Sequence, residues 1–149
     1  MNTSTTKFIR CKLNLIERME KLTFLPLLGI RLWIANVFFN SGLAKLADFE
    51  GAIALFADEY KVPVLPPDIA AYMATATELT APVLIVLGLG SRLGAAALLF
   101  MTAVIEFTYG SFPEHQVWAL MLLLLVLHGP GKASIDHVIR YRLLPSRLI

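Results

Sequence analysis

Four long apolar segments dominate the sequence, and their length is what most limits the fold. They run from about Phe24 to Leu46, Ile69 to Leu89, Leu93 to Tyr109 and Pro113 to His128. A helix rises about 1.5 Å per residue, so roughly 17 to 25 mostly apolar residues are needed to cross a hydrocarbon core about 30 Å thick. The pattern therefore predicts an all-α integral membrane protein built as a four-helix bundle.

The composition supports a membrane protein. Hydrophobic residues make up 57% of the 149 residues and charged residues only 16%, which lies outside the usual mixture for a soluble domain. A water-soluble bundle would need a polar face on each helix, and the apolar segments contain too few polar residues to provide one. We therefore expect a single membrane domain over residues 1–149, with the lipid bilayer as its surroundings.

Charge and cysteine content exclude several partners and cofactors. The formal net charge is only +2 and the basic residues lie towards the chain ends, so nucleic-acid binding is not expected. Cys11 is the single cysteine, which leaves no internal disulfide, redox pair or cysteine-rich metal site. His115 and His128 lie at opposite ends of the fourth segment, too far apart to ligate one metal ion or one haem. The sequence also has no flavin or dinucleotide fingerprint, so the cofactor, if any, is unknown.

The connectors predict how the segments are arranged. Residues 90–92 and 110–113 form short connectors, which make the segments that they join antiparallel neighbours. The first connection, 47–68, is longer. Within it, residues 49–60 are expected to form a short helix on the membrane surface.

The distribution of lysine and arginine predicts the orientation, because cytoplasmic loops near membrane ends carry the excess of these residues. The predicted inner side carries Lys7, Arg10, Lys12, Arg18, Lys21, Arg92, Lys132, Arg140, Arg142 and Arg147. The other side is mainly acidic. We therefore expect both chain ends, 1–23 and 129–149, to be cytoplasmic.

Glu78 is the polar residue least able to avoid the membrane interior. It lies near the middle of the second segment, roughly 14 Å from either end by helix rise. An ionised side chain at the bilayer centre costs about 2.5 to 3.5 kcal/mol, so Glu78 must face the bundle interior. Pro82, four residues later, removes the helical donor for the Glu78 carbonyl. Two interpretations stay open: a proton, ion or ligand site, or a structural carboxylate paired with a neighbouring helix.

The first segment has two polar faces. Arg31 lies one to two turns inside the segment and can either extend to the interface or reach inward towards Glu78. At 100° per residue, Lys45 falls on the same stripe as Arg31, while Asn36 and Asn40 fall nearly opposite. One face is expected in the bundle, and the other is free to contact another helix or another chain.

Three further ionisable residues are candidates for a site. Glu106 lies towards the outer end of the third segment, at the depth of Lys45, so a pair between them is allowed by geometry. An interfacial Glu106 in contact with water is the alternative. His128 is a titrating group near the predicted cytoplasmic face, or simply an interfacial histidine.

Several of these residues, taken in order, resemble the DoxX family of small four-span bacterial membrane proteins. The resemblance covers residues 24–137 and depends on Arg31 with the 41–46 motif Ser-Gly-Leu-Ala-Lys-Leu, Glu78, the 88–92 motif Gly-Leu-Gly-Ser-Arg and the 129–136 motif Gly-Pro-Gly-Lys-Ala-Ser-Ile-Asp. It implies a multi-pass protein of the bacterial inner membrane. Relatives are described as oxidoreductases or as membrane subunits of redox or oxidative-stress systems, and one passes electrons from thiosulfate to quinone.

The leading hypothesis is therefore a membrane component of a redox or of an oxidative or metal-stress system, which would depend on a partner if it is an enzyme. A polar interior at Arg31 and Glu78 would bind a quinone-like headgroup or relay protons, with Arg31 orienting an oxygen or anion. The alternative is a non-enzymatic scaffold or transporter subunit, as in copper-binding-peptide systems where some relatives occur. In that alternative, Asn36 and Asn40 mark a contact with a protein partner or a second copy.

Overall fold

The computed structural model describes residues 12, 22, 24–110, 112–131 and 133–143. Within these ranges every regular element is helical, which agrees with the all-α prediction. The predicted N-terminal end, 1–23, lies outside the described residues except for Lys12 and Leu22, and so does Cys11. The same holds for Lys132 and for residues 144–149 of the C-terminal end.

The helices agree closely with the apolar segments. In chain order they are α1 (Phe24–Ala47), α2 (Phe49–Leu55), a π-helical turn (Phe56–Tyr60), α3 (Pro67–Leu87), α4 (Ser91–Thr108), α5 (Pro113–His128) and α6 (Ile135–Leu143). Proline opens α3 and α5 in their first turn, where its missing N–H would have no helical partner in any case. The left-handed Gly88, with φ 70°, ends α3, as is common at helix C-termini.

Three of the described helices, α1, α3 and α4, are long and apolar enough to cross a bilayer. The 16 residues of α5 rise about 24 Å, which is less than the hydrocarbon thickness of about 30 Å. The structure therefore supports a membrane protein with spanning helices. The fourth crossing, at α5, and the inward orientation of both ends stay predictions.

The core is formed where α1 packs on α3, α3 on α4 and α4 on α5. Its fully buried members come from all four helices: Ile34, Phe38, Ala81, Ile85, Ala95, Leu98, Leu122 and Leu125. Small residues set the spacing of α3 and α4, because a Cβ added at Gly94 would lie 3.1 Å from the Ala81 carbonyl oxygen. Such close approach is typical of helix packing in membranes. Trp33 of α1 lies outside this core and is 47% exposed.

The first connection is helical where the sequence predicted it, and it also packs against the bundle. Phe56 is buried against three alanines of α3, Ala70, Ala71 and Ala74. The π-helical turn that follows ends at Lys61, whose φ of 42° is left-handed. The connection is therefore packed against the bundle, and it carries Tyr60 towards the interior.

The C-terminal segment closes one end of the bundle, which we call the tail end. The start of α1, the end of α3, the start of α4 and the end of α5 meet there. The Asp136 carboxylate accepts hydrogen bonds from the Gly90 N–H at 3.0 Å to both oxygens, and the Asp136 N–H donates to the Gly88 carbonyl at 2.9 Å. Ser134 packs directly on Gly88. The turn between α3 and α4 is thereby attached to the segment after α5.

This attachment predicts different effects for alanine at two neighbouring glycines. Both have positive φ, 70° at Gly88 and 58° at Gly90, so alanine costs about 1 to 2 kcal/mol of backbone strain at each. A Cβ at Gly88 would also lie 2.4 Å from the Ser134 Cβ, whereas one at Gly90 meets nothing within 4 Å. Gly88→Ala should therefore lower the free energy of unfolding more than Gly90→Ala, by about a further 1 to 3 kcal/mol. The thermal midpoint in detergent should fall further in Gly88→Ala accordingly. Equal losses would contradict the packing of Ser134 on Gly88.

Candidate functional site

A buried ion pair joins α1 to α3 in the half of the bundle away from the tail end. The Lys45 Nζ lies 2.9 Å from Glu78 Oε2 and donates a hydrogen bond to Oε1 at 3.0 Å. Ser41 lies between them, since its Oγ accepts from Lys45 at 2.8 Å and donates to Glu78 Oε1 at 3.2 Å. The side chains of Lys45 and Glu78 are only 12% and 4% exposed. Within the pair, the buried ammonium and carboxylate provide most of each other's hydrogen-bond partners, which offsets the cost of burying them.

Gly42 makes the close contact of the two helices possible at this level. A Cβ at this position would lie 3.0 Å from the Glu78 Cβ and 3.0 Å from the nearest atoms of Leu79. Because the glycine has no side chain, α1 approaches α3 closely enough for Lys45, at the far end of α1, to reach the carboxylate. The 41–45 motif therefore supplies the close spacing through Gly42 and the positive charge through Lys45.

The ion pair lines a largely enclosed cavity of about 160 Å³. Its lining comes from α1, α3, α4, α5 and the π-helical turn, and it comprises Val37, Phe38, Ser41, Lys45, Tyr60, Glu78, Thr102, Ile105, His115 and Trp118. One side of the cavity is thus polar and ionisable, and the other is aromatic and aliphatic. This combination of a few convergent polar groups with apolar walls is typical of small-molecule sites.

One carboxylate oxygen of Glu78 in the cavity wall can accept a further hydrogen bond. Glu78 Oε2 is buried, and among the described residues its one polar partner is the Lys45 ammonium of the ion pair, 2.9 Å away. Thr75 Oγ1, one turn earlier on α3, has no hydrogen-bond partner among them. Buried polar atoms without protein partners are rare and usually mark a site for water or a ligand. The carboxylate is therefore placed to accept one more hydrogen bond.

His115 connects the cavity to a second acidic residue. Its Nδ1 lies 3.1 Å from Glu106 Oε2, and both side chains are partly exposed. A groove of about 170 Å³ between α4 and α5 shares Thr102 and His115 with the cavity, and its other walls are three apolar residues together with Glu106 and Gln116. His115 thus lies between the enclosed ion pair and the outer surface of the bundle, at the start of α5.

A continuous row of aromatic rings surrounds this side of the cavity. The neighbouring centroids are 4.9 to 5.5 Å apart, and the row runs Phe56, Tyr60, Tyr109, Phe112, His115, Trp118 and Phe38. Most pairs meet edge to face, which the ring quadrupoles favour. Tyr60 lies in the connection, outside the spanning helices, and burial raises its pKa, with the negative charge of Glu78 raising it further. Its phenol therefore stays protonated.

The structure corrects the sequence hypothesis for Arg31. Its side chain is buried, but it donates to four backbone carbonyls at the tail end, those of Ile85, Val86, Pro130 and Ala133, at 2.5 to 2.9 Å. Ile85 is seven residues beyond Glu78 on α3, about 10 Å along the helix. Arg31 therefore reaches towards the tail end of the bundle and does not join Glu78.

The remaining sequence candidates divide into three groups. In place of the allowed pair of Lys45 with Glu106, Lys45 pairs with Glu78 and Glu106 with His115. Asn36 and Asn40 lie exposed on the outer face of α1, where the Asn40 amide donates to the Asn36 carbonyl and side chain at 2.9 and 3.1 Å. His128 is exposed at the tail end, remote from the cavity.

Sequence reasoning missed four residues of the cavity wall. Ser41 lies one turn before Lys45, so its position on the same helical face was available as a signal. His115 was considered only as a metal or haem ligand, although its place at the end of an apolar segment beside a predicted connector was informative. Tyr60 and Thr102 carried no comparable signal, because their positions depend on how the connection folds and how α4 is rotated.

The Arg31 contacts predict a specific loss on substitution by lysine. Arg31→Lys keeps the charge, but an ammonium cannot reproduce the planar fork that serves four carbonyls. Each buried acceptor left unpaired costs about 1 to 3 kcal/mol, so the thermal midpoint in detergent should fall strongly. Arg92→Lys is the matched control, because Arg92 makes a single 3.4 Å contact. Similar midpoints for the two variants would contradict the role given to Arg31.

The ion pair predicts a non-additive double-mutant cycle. Removing one partner leaves a buried charge uncompensated, which typically costs about 3 to 5 kcal/mol, whereas removing both is often nearly neutral. Lys45→Met and Glu78→Gln should each lower the thermal midpoint, and the double variant should recover more than half of the larger loss. The exposed Glu50→Gln is the control and should change little. Additive losses would show that the two side chains are not coupled.

Comparison with known proteins agrees with the sequence resemblance. A protein of Haemophilus influenzae, described as an uncharacterized protein, is 29% identical over 126 residues, which cover 76% of this chain and 83% of the relative. No solved structure matches the chain. The family model described as DoxX matches residues 26–111, a stretch that runs from the first turn of α1 to the end of α4 and includes Arg31, the Lys45–Glu78 pair and the turn at Gly88. This chain therefore belongs to the DoxX family of membrane proteins.

Proposed function

We propose that this protein is a membrane component of a redox or stress-response system, and that its Lys45–Glu78 cavity binds the headgroup of a quinone-like molecule and exchanges protons with it. The observation that supports this most is the cavity itself. Its volume of about 160 Å³ is close to the roughly 150 Å³ known to hold a benzene ring. Aromatic walls and ionisable groups meet around that space.

The lining residues suit the two ends of a ring that carries carbonyl oxygens. The Lys45 ammonium is a donor for one oxygen, and protonated His115 or the Tyr60 phenol is a donor for another. Reduction of a quinone to a quinol takes up two electrons and two protons. In this proposal the electrons come from a partner redox protein, and the protons pass through Glu78 and His115, both of which can hold and release one.

The groove between α4 and α5 is the proposed path for an apolar tail. It shares Thr102 and His115 with the cavity and is lined further out by the apolar Ala103, Phe107 and Ala119 and by the side chains of Glu106 and Gln116. Phe107 is 90% exposed, so the groove opens on the face that lipid would cover. A ring inside and a hydrocarbon tail in the groove would fit a lipid-soluble substrate better than a water-soluble one.

The proposal includes the bacterial inner membrane as the location, with α5 as a fourth span and both chain ends in the cytoplasm. The cavity would then lie in the outer half of the membrane. The Glu106–His115 contact would connect it to the outer surface. Proton exchange would in that case occur with the outer side.

The two tryptophans of the chain provide the test of the cavity. Trp118 lines it, whereas Trp33 is 47% exposed on the outer face of α1. With Trp33→Phe as the background, titration with a short-tailed ubiquinone analogue in detergent should quench Trp118 fluorescence saturably. Lys45→Met in that background should weaken binding about tenfold, the cost of losing one charged hydrogen bond.

Trp118→Phe, which leaves only Trp33, is the control for partitioning of the quinone into the micelle. Its quenching should rise linearly without saturation. Glu50→Gln, in the exposed part of α2, should bind as the background does. Linear quenching in both tryptophan backgrounds, or saturable quenching that Lys45→Met and Glu78→Gln leave unchanged, would contradict the proposal.

A second candidate function is a scaffold or transporter subunit, including one in a copper-binding-peptide system. One observation favours it: Asn36 and Asn40 form an exposed polar pair on a helix otherwise covered by apolar side chains. Beside them is an apolar groove of about 320 Å³ between α1 and α3. Asparagine on a lipid-facing surface is commonly used for hydrogen bonding between helices.

This candidate predicts association through the asparagine face. In lipid nanodiscs, native mass spectrometry should show a dimer or a captured partner with the natural sequence, and Asn36→Leu with Asn40→Leu should shift it towards the monomer at least threefold. Thr77→Leu, at an exposed polar position on α3, is the matched control. A strictly monomeric protein that captures no partner would count against the scaffold.

A further inference from the structure

The tail end contains a basic cavity that neither the ion pair nor the proposed quinone site uses. It has a volume of about 650 Å³ and lies between the α3–α4 turn, the end of α5 and the start of α6. Its ionisable lining consists of Arg92, His128, Asp136, His137 and Arg140. With both histidines neutral the formal charge of this lining is +1, from two arginines and one aspartate, and protonation of the histidines raises it.

Asp136, the single acidic residue among the described residues that line the cavity, already accepts a hydrogen bond from the protein. Both oxygens of Asp136 accept the Gly90 N–H at 3.0 Å, so the carboxylate holds the α3–α4 turn. Within the described part of the chain neither Arg92 nor Arg140 forms an ion pair. Arg92 makes one long contact, 3.4 Å, with the Leu127 carbonyl. Most of the guanidinium donors at this cavity are therefore available to an added anion.

Exposed apolar side chains lie at the cavity and on the adjoining helix α6, as expected at a membrane interface. Leu93, which also lines the cavity, is 78% exposed. On α6, Ile135, Val138 and Ile139 are 39 to 49% exposed, on a short helix that carries Arg140 and Arg142 in its last turn. An amphipathic helix with basic residues beside apolar ones lies naturally at the boundary between headgroups and acyl chains.

We propose that this cavity binds a phosphate group, and that the phosphate is supplied by the headgroup of an anionic phospholipid. Arginine forks match phosphate oxygens with two parallel hydrogen bonds, and basic pockets between membrane helices are suited to anionic headgroups. The acyl chains extend along Leu93, and the apolar side of α6, which does not line the cavity, contacts the membrane beside it. The site is separate from the Lys45–Glu78 cavity and does not depend on what that cavity binds.

Native mass spectrometry of the purified full chain in a neutral detergent tests the proposal. The probes are phosphatidic acid, diacylglycerol with the same acyl chains, and inorganic phosphate. Phosphatidic acid should bind and diacylglycerol should not. Arg92→Gln combined with Arg140→Gln should weaken phosphatidic acid binding about tenfold or more, since two basic contacts to an anionic headgroup are lost. Inorganic phosphate as tight as phosphatidic acid would identify free phosphate as the ligand of the same site.

Arg142→Gln is the matched control, because it removes one positive charge from the same helix at a residue that does not line the cavity. It should bind phosphatidic acid as the natural sequence does, and Arg92→Lys with Arg140→Lys should retain most of the affinity. Thermal midpoints of all variants establish that each is folded. An equal loss in Arg142→Gln, or unchanged binding in the double glutamine variant, would overturn the proposal.

Discussion

The contact of the Arg31 guanidinium with four backbone carbonyls is the interaction on which the rest of the bundle depends. In a membrane each helix end that lies near lipid needs partners for its last carbonyls, because water is scarce there. Arg31 provides partners for Ile85 and Val86 at the end of α3 and for Pro130 and Ala133 after α5. One side chain of α1 thus fixes α3 and the C-terminal segment at the same place. A cation also suits the negative end of the α3 dipole.

The Lys45–Glu78 pair is a different use of buried charge. At the tail end the Arg31 guanidinium donates hydrogen bonds only to backbone carbonyls among the described residues, and the charge of Asp136 acts on it without a direct ion pair. In the cavity a full carboxylate meets a full ammonium, with Ser41 between them, and the Glu78 Oε2 has no partner but that ammonium among the described residues. A buried charged group that can still accept a hydrogen bond is a candidate for a functional site, whereas one whose hydrogen bonds are all made within the protein has a structural role.

The length of the apolar segments and the positions of proline and glycine predicted most of the fold. The start of α5 at Pro113 agrees with the prediction, whereas α3 begins at Pro67, two residues before the predicted Ile69, and ends at Leu87, two residues before the predicted Leu89. The burial of Glu78 also followed from depth alone. The partner of Arg31 could not be predicted in this way, because backbone carbonyls carry no sequence signature and a carboxylate was the more obvious target. Tyr60 reaches the cavity through a π-helical turn, which no pattern in the sequence indicates.

The two attachments between α1 and α3 also restrict how the protein can move. Arg31 and Lys45 are fourteen residues apart on one helix, about 21 Å along its axis, and each holds a different part of α3. A helix held by one contact can rotate about that contact. A helix held by two distant contacts can neither rotate nor slide unless one contact breaks. The two contacts therefore restrict rotation and sliding of α1 on α3, so a change in the shape of the cavity would come from its other walls, which are α4, α5 and the first connection.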